Sequence, residues 1–214
     1  MPQQILLAVD SPATYVNLEL SWLAFARRVL ALAEDPSGPL LERVKFAGIM
    51  GVIYDEFAMK RIGRLRRQIE KKKRIPGPDG MTTSAELVAC RTELRAQARI
   101  VGRLLERELR PALAAAGLPI LDAGDLDEAQ RAHLRALFHD SIEPLLTPLA
   151  VDATHPFPFI SNLGLNLAVE VREKGRRRSR FVRIKVPSNL SRWAKLPASA
   201  AIVPLEQVIA LSLP

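Results

Sequence analysis

Apolar positions recur at helical spacing through the first half of the chain. Trp22, Phe25, Val29 and Leu32 fall at steps of 3, 4 and 3, which predicts a helix over 20–34 with that face inward. Asp35-Pro36-Ser37-Gly38-Pro39 ends it. A second, shorter helix is expected over 40–50, its end bracketed by Gly48 and Gly51. A third is expected over 54–73, with Phe57, Leu65 and Ile69 inward and Arg61, Arg64, Arg67 and Lys71 outward. Asp55-Glu56 would then open that helix, where carboxylates either complement the macrodipole or form a site at a helix start facing a ligand. After the loop Pro76-Gly77-Pro78-Asp79-Gly80, Thr83 and Glu86 form a T-x-x-E capping box. The long helix that follows carries Leu87, Cys90, Leu94, Val101, Leu104 and Leu105 on one stripe. Pro111 should end or kink it, and Gly117-Leu118-Pro119 closes the segment.

The period changes after Pro119. Ile120-Leu121 reads as a short strand, and Asp125 as the cap of a helix whose inner face is Leu134, Leu137, Phe138, Ile142 and Leu145. A Pro-rich loop, Thr154-His155-Pro156-Phe157-Pro158, follows. Leu163, Leu165, Leu167, Val169 and Val171 then alternate with small or polar residues, as do Val182, Ile184 and Val186. This period of two predicts a β-hairpin, its turn over 173–179 rich in Lys and Arg. A last short helix is expected over 204–213 with Leu205, Val208, Ile209 and Leu213 as its apolar face. The fold class is therefore mixed. An all-α helical bundle over 1–118 precedes an incomplete α/β (α+β) module with a β-hairpin over 119–214. Because two firm strands and one or two helices make a poor core, exposed apolar surface around Leu205, Ile209 and Leu213 is expected, with self-association.

Composition narrows the partners. Of 214 residues 48% are apolar and 25% charged, which suits a packed core. Lys and Arg total 31 against 23 Asp and Glu, a net charge of +8, which favours polyanions. The single Cys90 excludes a disulfide within the chain and fits a reducing compartment. No apolar run reaches the ~18 residues of a membrane span, and the N-terminus lacks a basic signal region, so a cytoplasmic location is expected. No phosphate-binding Gly loop, nucleophile elbow or zinc-type motif occurs. His133, His139 and His155 are too scattered for a metal site, and Cys90 is read as a buried small hydrophobe. Two basic clusters remain. Lys60, Arg61, Arg64, Arg66, Arg67 and 71–74 load one helix, and Lys174, Arg176 to Arg178, Arg180, Arg183 and Lys185 load the hairpin. Each reads either as a solvated face or as a surface for a phosphate-rich polymer. Aromatics are only 5% and most fall at apolar-face positions, so base stacking has weak support and nucleic acid is not expected as a partner.

An ordered set of motifs carries a resemblance. Glu19-Leu20-Ser21-Trp22-Leu23-Ala24-Phe25, Arg28-Val29-Leu30 and Leu40-Leu41-Glu42-Arg43-Val44-Lys45-Phe46 come first. Asp55-Glu56-Phe57-Ala58-Met59-Lys60-Arg61-Ile62-Gly63 and Thr154-His155-Pro156-Phe157-Pro158-Phe159-Ile160-Ser161-Asn162-Leu163 follow. Together with Arg183-Ile184-Lys185-Val186-Pro187 and Val203-Pro204-Leu205-Glu206-Gln207-Val208-Ile209, they resemble the N-terminal domain and first part of the head domain of the long-chain polyphosphate kinases. The resemblance implies a reversible transfer of the ATP γ-phosphate to inorganic polyphosphate through a phosphohistidine, with Mg²⁺ assisting and the polymer in a basic tunnel. It implies that the phosphorylated His, its partner and the metal site lie in further domains, so catalysis by these residues alone is not expected. The nucleotide-binding residues it implies are Ile53, at a position usually Asn, with Tyr54 and Asp55. Another position usually Asn is Ala26 here. The polyphosphate-binding candidates are Lys60, Arg61 and Arg64. ATP and polyphosphate are the implied partners, with a second copy or a catalytic kinase chain. The alternative is a truncated, non-catalytic homologue that binds polyphosphate or serves assembly.

Overall fold

The computed structural model describes residues 8–72, 76–151, 155–172 and 179–213. They form two compact units, Met1–Leu109 and Arg110–Pro214. The boundary expected near residue 118, from the change of period, falls eight residues after Arg110, where the second unit begins.

The first unit is helical. α1 (Leu18–Glu34) packs on α2 (Leu40–Phe57) and on α4 (Thr83–Leu104). α2 runs on through a π-helical segment, Ala58–Ile62, into α3 (Gly63–Glu70), so the two helices expected over 40–50 and 54–73 are one winding. Gly48 and Gly51 do not stop it. Both are exposed, and each costs about 1 kcal/mol of propensity, which packing on α1 overrides. Asp55 and Glu56 therefore lie near the end of α2 rather than at a helix start, and the macrodipole reading fails.

The inward face of α1 is also displaced from expectation. Leu23, Ala26, Leu30 and Ala33 are the buried positions, while Phe25 and Leu32 are exposed. The alanines let α1 approach its neighbours closely. Ala26, Leu30, Ala33, Ala47, Met50, Leu104 and Leu109 form one core cluster, and Leu23, Phe57, Leu65 and Cys90 a second. Trp22 bridges both clusters, its ring 5.0 Å from that of Phe57. Three polar devices close the helix ends. Asn17 caps α1, accepting from the N–H groups of Glu19 and Leu20. The buried Arg43 guanidinium caps its other end by donating Nε to the Ala33 carbonyl at 2.9 Å. Thr82, not Thr83, caps α4, accepting from the Ala85 N–H.

The second unit begins with α5 (Arg110–Ala115), which carries Pro111 without ending there. Gly117 stops it, at φ 85°, with Leu118 N–H on the Leu113 carbonyl and Gly117 N–H on that of Ala114. α6 (Glu128–Leu137) is capped by Asp127, two residues after the expected Asp125, in a full capping box with Gln130. A π segment, Phe138–Ile142, extends it. β2 (Asn166–Arg172) and β3 (Ser179–Lys185) form the expected antiparallel hairpin, with Leu167 opposite Ile184 and Val169 opposite Val182 on the core side. Its turn lies outside the described residues. β1 (Leu149–Val151) pairs with the far edge of β3, giving the order β1-β3-β2. A second ribbon, β4 (Trp193–Lys195) with β5 (Ile202–Pro204), feeds α7 (Leu205–Ser212). Ile120 is not a full strand but makes a parallel bridge to Ile202.

These elements supply a real core: Leu134, Phe138 and Ile142 from α6 and its extension, Ile184, Val203, Val208 and Ile209 among others. The expected exposed patch is therefore not there. Leu205 is 3% and Ile209 0% exposed, and Leu213 is half-buried against the same core. The two short strands β4 and β5, absent from the sequence reading, provide part of the cover.

Candidate functional site

The N-terminal unit concentrates its charged chemistry where α1 begins. Glu19, in the first turn of α1, is fully buried. Its Oε1 accepts from Arg64 Nη2 at 2.6 Å and from Arg61 Nη1 at 3.4 Å. Its Oε2 is buried with no hydrogen bond among the described residues. The π-helical turn at Ala58–Ile62 holds Arg61, and the first turn of α3 holds Arg64. The wider turn resets the helix phase, so Arg61 and Arg64 meet one carboxylate while Phe57 and Leu65 stay in the core.

Beside this pair lies a cleft of about 470 Å³. Tyr15, Asn17, Gln68, Met81 and Thr83 line it, with Glu19, Arg64 and the turn 76–79. Asn17 Nδ2 donates to Asp79 Oδ2 at 2.7 Å and to Glu86 Oε1 at 3.1 Å, tying the loop and α4 to the α1 cap. The Asn17 donor, then the Met81 N–H, hold the Asp79 carboxyl below its ordinary range.

The expected site residues divide by environment. Lys60 is exposed and donates to Glu56 Oε1 at 2.5 Å. Its donor lowers the Glu56 pKa. Arg61 and Arg64 stay partly exposed while engaged with Glu19. Ile53 is half-buried against the core cluster that contains Met50 and Leu30. The other position usually occupied by Asn, Ala26, is fully buried in that cluster. Tyr54 is half-buried and donates its hydroxyl to Gln97 Oε1 at 3.2 Å. Burial pushes its pKa up to about 12. Asp55 is half-buried near the end of α2. The structure thus brings Lys60, Arg61 and Arg64 onto one winding, while Ile53 and Tyr54 are half-buried, each packed on the core cluster.

Sequence reading missed Glu19, Asn17 and Gln97. Gln97 is fully buried and donates to the Leu23 carbonyl at 2.9 Å and to Glu93 Oε1 at 2.7 Å. Its place one turn beyond Leu94 on the inward stripe of α4 was the signal available. His133 and His139 are exposed, as expected, and His139 Nδ1 lies 2.7 Å from Glu143 Oε2. Cys90 is buried as expected, and burial raises its thiol pKa to about 11. The aromatic expectation fails. Tyr15, Phe25, Phe157, Phe159, Phe181 and Trp193, six of the eleven aromatic residues, are exposed.

Comparison with known proteins places the chain. The polyphosphate kinase N-terminal domain family matches residues 15–121, and the polyphosphate kinase middle domain family matches 129–214. The polyphosphate kinase of Mycolicibacterium gilvum is 43% identical over 212 residues, covering 95% of this chain and 29% of that protein. That of Mycobacterium tuberculosis is 41% identical over 214 residues, covering 94% of this chain and again 29% of the relative. The crystal structure of polyphosphate kinase from Porphyromonas gingivalis superposes with a TM-score of 0.75 at 25% identity, over 91% of this chain and 29% of that one. The chain therefore spans less than a third of the length of these relatives.

Proposed function

The chain belongs to the polyphosphate kinase family, and on that premise we propose that it forms the N-terminal and middle-domain part of an enzyme moving the ATP γ-phosphate onto inorganic polyphosphate through a phosphohistidine. The observation that carries this reading is the ordered match of both domain families along one chain. ATP and polyphosphate are the substrates, the setting is cytoplasmic, and a second copy or a catalytic kinase chain is the partner. The stretch Ile53, Tyr54 and Asp55 walls the nucleotide site. Ile53 has no donor or acceptor, so its contribution is apolar contact alone. Lys60, Arg61 and Arg64 supply positive field toward the polymer, the kind of charge neutralisation on which phosphoryl transfer depends.

We assign no chemical step to this chain, and the phosphohistidine is not assigned to His133, His139 or His155. No group of three His, Cys, Asp or Glu side chains among the described residues could hold a metal. In this reading the Mg²⁺ of the family's reaction is held by residues outside these two domains, and no step is routed through it here.

The test is polyphosphate binding by the purified chain, read by gel retardation. Affinity should fall steeply as salt rises from about 0.05 to about 0.2 M, and Lys60→Glu should weaken it. No label should pass from γ-labelled ATP to the polymer. Absence of any affinity at about 0.1 M salt would remove the polymer-contact role. Transfer of label by the chain alone would overturn the non-catalytic assignment.

A further inference from the structure

The second unit exposes aromatic rings beside cations on one sheet face. In the β1-β3-β2 sheet, Leu167, Val169, Val182 and Ile184 turn to the core. The opposite face therefore carries, among its alternate positions, Glu170, Arg172, Phe181, Arg183 and Lys185, with Leu149 beside Arg183 and Val151 beside Phe181. Phe157, from the loop that precedes the hairpin, lays its ring on Phe181, centroids 5.8 Å apart and planes at 28°. Phe181 thus backs one face of Phe157, and Phe157 remains 61% exposed. Phe159, two residues on, is 85% exposed. Pro156 and Pro158 flank Phe157 and stiffen the loop that presents its ring. Asn166 Oδ1 accepts from Arg183 Nε at 2.7 Å and so fixes that guanidinium on the face.

We propose that this face binds single-stranded nucleic acid, with a base stacked on Phe157 and the phosphate chain following Arg172, Arg183 and Lys185. Three cations stand here against one carboxylate, Glu170. The centres of protein–protein interfaces are depleted of Lys and Glu, and this face carries both Lys185 and Glu170. Exposed rings flanked by cations on a sheet are instead the arrangement that stacks bases and tracks a backbone. Inorganic polyphosphate has no π-face and would leave the rings unused. The cations also span the length of the hairpin, from the Arg172–Ser179 pair to the Asn166–Lys185 pair. At about 3.3 Å per residue, that is longer than one mononucleotide.

The experiment is fluorescence anisotropy with a labelled oligonucleotide of about 12 nucleotides, in the range a small β-fold covers. The controls are an abasic phosphodiester chain of equal length, inorganic polyphosphate and a free mononucleotide. The oligonucleotide should bind at least about fivefold more tightly than the abasic chain, and Phe157→Ala should weaken it about tenfold. Arg172→Glu, at an exposed position of the same face, should weaken it as well, with the thermal melt of each variant reporting an intact fold. Equal binding of the abasic chain or polyphosphate would overturn the proposal. So would saturation by the mononucleotide alone. So would a loss of self-association on Phe157→Ala, measured by sedimentation, with oligonucleotide binding unchanged.

Discussion

Arg64→Ala should destabilise the N-terminal unit by about 3 kcal/mol, and most of that cost should vanish once Glu19 is neutral. Glu19 is fully buried, its Oε2 has no hydrogen bond among the described residues, and Arg64 Nη2 at 2.6 Å is the nearer of its two guanidinium donors. Removing one partner of a buried ion pair costs about 3–5 kcal/mol, because the other charge is stranded. Arg61, already 3.4 Å away, can close part of the gap, which sets the estimate at the low end of that range. Arg64 itself is 45% exposed, so without its charged partner its removal should cost less than about 1 kcal/mol. The coupling between the two positions is then about 2 kcal/mol, well above the ~0.5 kcal/mol scatter of additive sites. Urea unfolding of the wild type, Glu19→Gln, Arg64→Ala and the double variant measures it. Trp22, packed on Phe57, reports the unit once Trp193→Phe silences the second unit. Equal costs of Arg64→Ala with and without Glu19→Gln would refute the reasoning. Glu19 would then be held by the N-terminal dipole of α1 rather than by the two guanidinium groups.

Other outcomes follow from the same structure. Gly48→Ala should stabilise the first unit by about 0.5–1 kcal/mol, because a Cβ there meets nothing within 4 Å; a loss of stability in urea would place Gly48 in an unseen contact. Tyr54 has a folded pKa of about 12 against an ordinary 10.0. Its contribution is complete below pH 10 and is lost as pH rises toward 12; Tyr54→Phe should flatten that part of the stability profile. The Cys90 thiol, raised by burial from 9.0 to about 11, should resist a thiol reagent at pH 8 until urea unfolds the unit. Prompt labelling of the native chain would show the site to be open.

Helix existence was legible because period and breakers agreed. α1 begins and ends within two residues of expectation, and the hairpin turns Leu167, Val169, Val182 and Ile184 to the core as alternation implied. The face of α1 was not legible. Leu23, Ala26, Leu30 and Ala33 repeat at the same 3, 4, 3 steps as the larger Trp22 series, so the period fits both sets and size points to the wrong one. Close helix packing favours the alanines instead. The glycines of α2 were read as stops because propensity is visible locally, whereas the α1 contact that overrides it is not. β4 and β5 have three residues each, too few for a period, so their cover of Leu205 and Ile209 could not be foreseen. The basic residues of the candidate site were found by charge. Their partner Glu19 lies 42 and 45 residues away in sequence, and no local pattern links them.

The most direct test of the account exchanges this chain for the aligned stretch of the Mycolicibacterium gilvum kinase and measures ATP-dependent polyphosphate synthesis. The account predicts that the chimera makes polyphosphate and that Lys60→Glu within it weakens synthesis. A soluble, folded chimera that makes none would contradict the assignment of this chain as a working part of a polyphosphate kinase.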